Sequence, residues 1–274
     1  MMSQKSYQYR VIKSGAITEI YAYEEIRTKR VKEAFDLIDE EIEEKRDKQV
    51  FIDKQVSKHE YDENYRYTRR EDNIKALKKK LNRMVHSNVG RYEERDKFIT
   101  LTFATEDGQS PSREEVQYKF KKFLMRMKYH GRDFEYISVI EKGTRGTKRL
   151  HIHLLAFNFP YMKIETLREY WKYGKVDIVA IQNIEVCSYL TKYVEKQLED
   201  GTIGKGERFY TCSKGIKRPV EIYLTSNEMI EQNNDLTYNQ DLCFQFDFSS
   251  EYVGNVKYYK FVDYEVLNAY TDFG

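Results

Sequence analysis

The sequence predicts an α+β fold, an antiparallel β-sheet with helices packed on it. Residues 97–103 (Lys-Phe-Ile-Thr-Leu-Thr-Phe) alternate with period two and are β-branched and aromatic, which makes them a strand. Val116, Phe120, Phe123, Leu124 and Met127 then fall on one face at helical spacing. The signals that follow complete the order β-α-β-β-α-β-α, with a hairpin in the middle, and that order suits an antiparallel sheet carrying helices.

The elements follow in chain order. Residues 6–22 alternate loosely and read as a strand or two. Residues 23–48 read as an amphipathic helix, with Val31, Ala34, Phe35, Ile38 and Ile42 at helical spacing. Residues 70–87 read as a second helix, with Ile74, Leu77, Leu81 and Val85 on one face and Lys78, Lys79, Lys80 and Arg83 around it. That basic side reads equally as a solvated face or as a phosphate contact, which would add salt-dependent, sequence-independent affinity for nucleic acid. After the strand at 97–103, Asp107-Gly108 turns the chain. Pro111, Ser112 and Glu115 form a helix entry with a capping box. Residues 136–141 and 149–157 are two strands joined at Gly143 and Gly146 into a hairpin. Residues 165–173 form a short helix closed by Gly174, 176–181 a strand, and 184–198 a helix ending near Gly201. Residues 207–212 and 220–224 add strands, and the alternating Phe244, Phe246 and Phe248 mark one more. The expected organisation is a helical, basic flank over 1–96, a core domain over 97–224 and a C-terminal flank over 225–274.

No window approaches 18 apolar residues, so no membrane span is expected, and residues 1–5 lack the apolar core of a signal peptide. Cys187, Cys212 and Cys243 are scattered and odd in number. A disulfide framework is therefore not expected, a reducing cytoplasm fits, and the lack of a CxxC pair argues against a zinc ribbon. The net charge of +2 hides segregation: residues 36–47 are mostly acidic and 66–91 mostly basic. The distribution of charge, more than its sum, governs nucleic-acid contact.

His151 and His153 flank Ile152 on a strand, so their side chains share a face about 7 Å apart along the backbone. Glu141 ends the partner strand of the hairpin and can approach the same face. Two imidazoles and a carboxylate can hold a divalent ion with positions left open, as Lewis-acid catalysis requires. Tyr189 and Tyr193 stand one helical turn apart, with Lys192 and Lys196 beside them. A free phenol, with a pKa of ~10, keeps its proton at neutral pH, and a nearby ammonium or metal ion favours the phenolate. Attack by such a phenol on phosphorus gives a covalent phosphotyrosine and splits one hard step into two. Arg208, Lys214, Lys217 and Arg218 interleave with Phe209 and Tyr210, a mixture suited to single-stranded DNA.

Together these residues resemble the HUH endonucleases, specifically the rolling-circle replication initiators of small phages and plasmids. Residues 98–103 resemble their first motif. Arg149-Leu150-His151-Ile152-His153-Leu154-Leu155 resembles the metal-binding motif, with Glu141 as the upstream acidic ligand. Tyr189-Leu190-Thr191-Lys192-Tyr193 resembles the nucleophile motif of the two-tyrosine class, and residues 213–219 are similar to a stretch found downstream in these initiators. The resemblance covers about residues 97–222 and implies an HUH nicking domain with an RRM/ferredoxin-like core. It implies site-specific nicking and rejoining of origin DNA through a 5′-phosphotyrosine, with Mg²⁺ or Mn²⁺ held by His151, His153 and Glu141. It points to Tyr193 as the first nucleophile and Tyr189 as the second, with the order of use open. The implied DNA contacts are Lys78, Lys79, Lys80, Arg83, Arg149, Arg208, Lys214, Lys217 and Arg218. No Walker loop occurs in the sequence, so a host helicase and replication machinery are the expected partners, alongside single-stranded origin DNA. Alternative readings are a transposase or relaxase of the same superfamily, or a catalytically idle DNA-binding regulator on the same scaffold.

Overall fold

A computed structural model describes residues 3–31, 63–104, 111–143, 149–181, 190, 192–193, 208–250 and 253–268. Its elements are β1 (Ser3–Ser14), β2 (Ile17–Val31), α1 (Glu63–His86), β3 (Arg91–Glu94), β4 (Lys97–Thr102) and α2 (Arg113–Tyr129). They continue as β5 (Glu135–Lys142), β6 (Leu150–Phe157), α3 (Ile164–Trp171), β7 (Val176–Ala180), β8 (Thr211–Cys212) and β9 (Val220–Leu224). The last are α4 (Ser226–Leu236), β10 (Asp241–Ser250), β11 (Gly254–Val262) and α5 (Tyr264–Asn268). The fold is α+β. Two five-stranded sheets form, in the orders β10-β11-β2-β1-β9 and β7-β4-β6-β5-β8.

The chain groups into two compact units. The larger comprises residues 13–17, 74–219 and 263–274 and is built on the sheet β7-β4-β6-β5-β8. Its strands pair antiparallel, with Thr100 opposite His153 and Glu141 opposite His151. Both sheet faces are covered, as the unbroken burial of β6 from Ile152 to Phe157 requires. On one face Ile99, Leu101, Ile152, Leu154 and Ala156 pack with Val116, Phe120, Phe123 and Met127 of α2 and with Leu167 and Trp171 of α3. On the other, Ile137, Val139, Leu155 and Phe157 pack with Leu81, Met84 and Val85 of α1, with Leu190 and with Ile216.

α2 begins where Ser112 and Glu115 form the expected capping box, each side chain bonding the other's backbone N–H. Such a cap contributes about 1 kcal/mol. α3 closes differently from expectation. Lys172, not Gly174, takes the left-handed conformation (φ 67°), donating its N–H to Arg168 O. Gly174 serves another purpose: a Cβ there would lie 2.4 Å from Thr102 O, so only glycine lets the chain pass the end of β4. Arg126 of α2 donates to the Tyr170 and Trp171 carbonyls at the end of α3, and Trp171 Nε1 donates to Thr102 O at 2.8 Å. The Arg126 bonds satisfy helix-end carbonyls that lack partners within α3.

The smaller unit comprises residues 1–12, 18–73 and 220–262. Its sheet draws β1 and β2 from the N-terminal stretch and β9, β10 and β11 from the C-terminal one. Val11, Ile20, Leu224 and Leu236 form a small core with Met229 of α4 beside them. The helix expected at 23–48 is corrected here. Residues 23–31 continue β2 as strand, because Tyr21, Tyr23 and their neighbours alternate and find partners on both sides, and 32–48 lie outside the described residues. The N-terminal stretch thus contains two long strands before the helix α1. Of the strand expected at 207–212, only Thr211–Cys212 forms β8. The Phe244-Phe246-Phe248 strand is present as β10, while its partner β11 and the helix α4 lie beyond the expected elements. Among the described residues no helix is long and apolar enough to cross a membrane, and Cys212 and Cys243 are free thiols.

Candidate active site

The sheet of the larger unit decides which side chains meet. Alternation along β4, β5 and β6 sends Phe98, Thr100, Thr102, Glu141, His151 and His153 to the face that also carries Leu190 and Tyr193. At its centre is His153, only 5% exposed. Its Nε2 lies 2.8 Å from Glu141 Oε2, and its Nδ1 lies 3.3 Å from Thr100 Oγ1. With Glu141 ionised, the carboxylate accepts from Nε2–H, and the neutral imidazole then accepts from the Thr100 hydroxyl through Nδ1. Glu141 is itself buried, 6% exposed, so this pair is shielded from water and each partner satisfies the other.

Tyr193 covers the imidazole. Its ring is parallel to that of His153, with centroids 3.7 Å apart and planes within 2°. Phe98 lies roughly parallel to both, at 5.8 Å from His153 and 6.5 Å from Tyr193. Residues 190, 192 and 193 are helical, and Leu190 is fully buried beneath them. Leu190 therefore anchors this helical segment to the sheet and brings Tyr193 over His153. Lys192 is exposed. Tyr189 and Lys196 lie outside the described residues.

The His151 ring lies 6.3 Å from that of His153, tilted by 38°. Beside it is Gly143, where an added Cβ would lie 3.7 Å from His151 Nε2 and 3.3 Å from Arg149 O. Among the described residues no three His, Cys, Asp or Glu side chains converge as a ready ligand set. The structure brings two of the three expected ligands, His153 and Glu141, into direct contact and leaves His151 one ring away.

The expected DNA contacts fall on two adjoining segments and two isolated positions. Lys79 and Lys80 are exposed on α1, with Lys78 and Arg83 half-buried beside them. The stretch 213–219 is clamped to the end of that helix: Asn88 Nδ2 donates to Lys217 O at 2.9 Å, and Lys217 N–H donates to Asn88 Oδ1 at 2.9 Å. Arg218 reaches Met84 Sδ at 2.8 Å, and Lys214, Lys217 and Arg218 are exposed. Arg149 precedes β6 half-buried, its carbonyl accepting from Gly143 N–H. Arg208 is exposed, and its carbonyl accepts from Arg113.

Three contributors were missed by sequence reading. Thr100 and Phe98 were read only as residues of the first strand, although strand parity alone puts them on the histidine face. Asp177 pairs in register with Thr100 from β7, and its exposed carboxylate belongs to the same face. Only the strand order, not local sequence, carries that signal.

Residues 96–198 match the family model of a replication-associated protein of the ORF2 type. That segment is similar to replication-associated proteins. The match supports a replication-initiator family and spans every site residue just described, from Phe98 to Tyr193. No curated protein and no solved structure matches the chain.

Proposed function

We propose that the protein initiates replication by nicking and rejoining single-stranded origin DNA, with Tyr193 as a nucleophile. The observation that carries this reading is the stack of Tyr193 on His153, whose imidazole is bonded to Glu141. A tyrosine held against a buried imidazole–carboxylate pair, inside a replication-associated segment, is the arrangement that phosphodiester transfer needs. The phenol oxygen bonds to phosphorus as the P–O3′ bond breaks. The phenol gives up its proton, the departing 3′ oxygen takes one up, and the DNA is left as a 5′-phosphotyrosine ester with a free 3′ hydroxyl. Reversal by that hydroxyl, or by another one, rejoins the strand.

His153, Glu141 and His151 also fit a divalent ion of the magnesium or manganese class, because buried imidazole and carboxylate are the donor types such an ion accepts. Bound there, the ion would supply Lewis-acid polarisation of a phosphate oxygen. Thr100 holds the His153 ring in register from behind. The exposed cations of α1 and of residues 214–218 supply phosphate contacts, and Tyr189 is proposed as the second nucleophile, with Lys192 and Lys196 beside the reacting phosphate. The chain carries no Walker loop, so unwinding is assigned to a host helicase.

The test is a covalent adduct. Labelled single-stranded DNA from the protein's own replicon is incubated with the protein and manganese, then resolved on a denaturing gel. We expect a protein–DNA band that disappears with chelator and in the Tyr189→Phe/Tyr193→Phe double variant. DNA binding without any adduct would replace this reading with that of a non-catalytic regulator.

A further inference from the structure

The smaller unit holds a second aromatic surface unrelated to the nicking site. One face of its sheet packs the core around Val11, Ile20 and Leu224 with α4. The opposite face carries rings from strand to strand. Phe246 of β10 meets Tyr258 of β11 at 5.1 Å, and Tyr258 meets Tyr21 of β2 at 5.0 Å. Two residues along β2, Tyr23 meets Tyr7 of β1 at 5.8 Å, and Tyr7 meets Tyr223 of β9 at 4.9 Å. Phe244 and Phe248 extend the row along the edge strand, each within 5.5 Å of Phe246. Rings therefore run across all five strands.

Ordinary cross-strand packing explains rings that touch, but not two further features. Phe244 is 53% exposed and Phe246 42% exposed, on a face that no helix of this unit covers among the described residues. The rings are also interleaved with cations. Arg10 lies over Tyr21 at 5.9 Å, Arg27 over Tyr23 at 5.5 Å and Lys29 over Tyr223 at 3.8 Å. Lys260 stands opposite Phe244 in the ladder. Against these cations the face sets Glu221, paired with Arg10, and Glu19, bonded to the Tyr258 hydroxyl.

We infer that this face binds single-stranded nucleic acid, with bases stacking on the Phe244–Phe246–Tyr258 rings and phosphates meeting Lys29, Arg27 and Lys260. The chemistry selects that ligand. A single strand offers flat π faces and one anion per residue, the complement of rings alternating with cations. Duplex DNA hides its base faces. A second copy of this chain would bring the same cations against themselves. Five strands at ~4.8 Å spacing make a platform roughly 20 Å wide, enough for on the order of four nucleotides. The inference does not depend on tyrosine chemistry, because the surface lies in a different unit from Tyr193.

The test uses the full chain carrying Tyr193→Phe and Tyr189→Phe, so that cleavage does not confuse binding. A fluorescent oligothymidylate and a duplex of equal length are titrated by anisotropy at two salt concentrations. Phe244→Ala and Phe246→Ala together should weaken single-strand binding at least fivefold, as the loss of base stacking implies, and leave duplex binding unchanged. Lys29→Ala should flatten the salt dependence. Photocrosslinking of a 4-thiothymidine oligomer to the unsubstituted face should label peptides within 241–262, a readout that needs no variant to fold. Unchanged single-strand affinity with no label in that region would overturn the inference. So would sedimentation showing a dimer that the Phe244→Ala/Phe246→Ala variant dissociates, which would assign the face to a second copy. Loss of the covalent adduct in the wild-type chain would leave the result intact, since this assay reads binding alone.

Discussion

The phenol ring of Tyr193 lies flat on the imidazole of His153, 3.7 Å between centroids and 2° between planes. The two residues are forty positions apart in sequence, one on the central strand β6 and the other on a helical segment anchored by Leu190. Phenylalanine preserves such a stack and removes only the hydroxyl. Tyr193→Phe should therefore stay within about 1 kcal/mol of the parent in stability, whereas Tyr193→Ala should lose the stack, worth roughly 0.5–1.5 kcal/mol beyond its burial. Both should form no adduct through position 193. Thermal unfolding alongside the gel assay separates these contributions. A Tyr193→Phe variant that keeps full adduct formation would transfer the leading role to Tyr189.

The buried Glu141–His153 pair makes a second prediction. Glu141→Ala leaves His153 Nε2 buried without its acceptor, which costs about 1–3 kcal/mol. Glu141→Gln keeps an oxygen within reach and should cost less. If the pair also helps to hold manganese, the parent should gain roughly 2.7 kcal/mol of stability at a concentration a hundredfold above its dissociation constant. Both Glu141→Ala and His153→Ala should lose most of that gain in thermal-shift titrations. Equal manganese stabilisation in parent and variants would place the ion elsewhere.

The candidate site was legible where chemistry is carried by rare residues at fixed spacing. Glu141, His151, His153 and Tyr193 could be named because strand and helix parity puts each on a definite face. The contact between Glu141 and His153, rather than the registered pair Glu141 and His151, was not legible. It depends on how long side chains lean across the ladder. The hairpin, the capping box at Ser112 and the α2 core face follow from local periodicity. The second sheet was hidden because β1 and β2 find partners over two hundred residues away in β9 and β11, and no local pattern encodes such pairings. α4 does carry a local signal, the capping box of Thr225 and Glu228. Its apolar residues, Met229, Ile230 and Leu236, are too few to mark a helical face.

Gly174 predicts a stability effect remote from any chemistry. A Cβ at this position would meet Thr102 O at 2.4 Å and Ala104 N at 2.8 Å, both backbone atoms that cannot rotate away. Gly174→Ala should therefore displace the chain between α3 and β7, at a cost of roughly 1–3 kcal/mol. Thr102 lies at the edge of the histidine face, so the variant should also lower adduct yield. Gly131, where nothing lies within 4 Å of an added Cβ but φ is +64°, is the control: Gly131→Ala should cost only the strain of its backbone, on the order of 1 kcal/mol. Urea denaturation of the two variants gives the comparison.

Asp96 leads into β4 with its side chain 4% exposed, and its Oδ2 accepts from Gly90 N–H at 2.6 Å. Burial pushes this carboxyl up to about 6 from an ordinary 3.8, against the opposing pull of the Gly90 and Asn158 backbone N–H groups and of Lys97. Between those two values the folded protein holds a proton that the unfolded chain has released. Stability from this group is thus complete below about pH 4, falls as pH rises toward about 6 and is level above it. Two pH units correspond to roughly 3 kcal/mol. Asp96→Asn stays neutral at every pH and retains an oxygen for Gly90. It should match the parent near pH 4 and be the more stable protein at pH 7, with the difference opening between those limits. Paired urea titrations at pH 4, 5, 6 and 7 measure it. A constant difference across the series would mean that Asp96 ionises alike in the folded and unfolded chain.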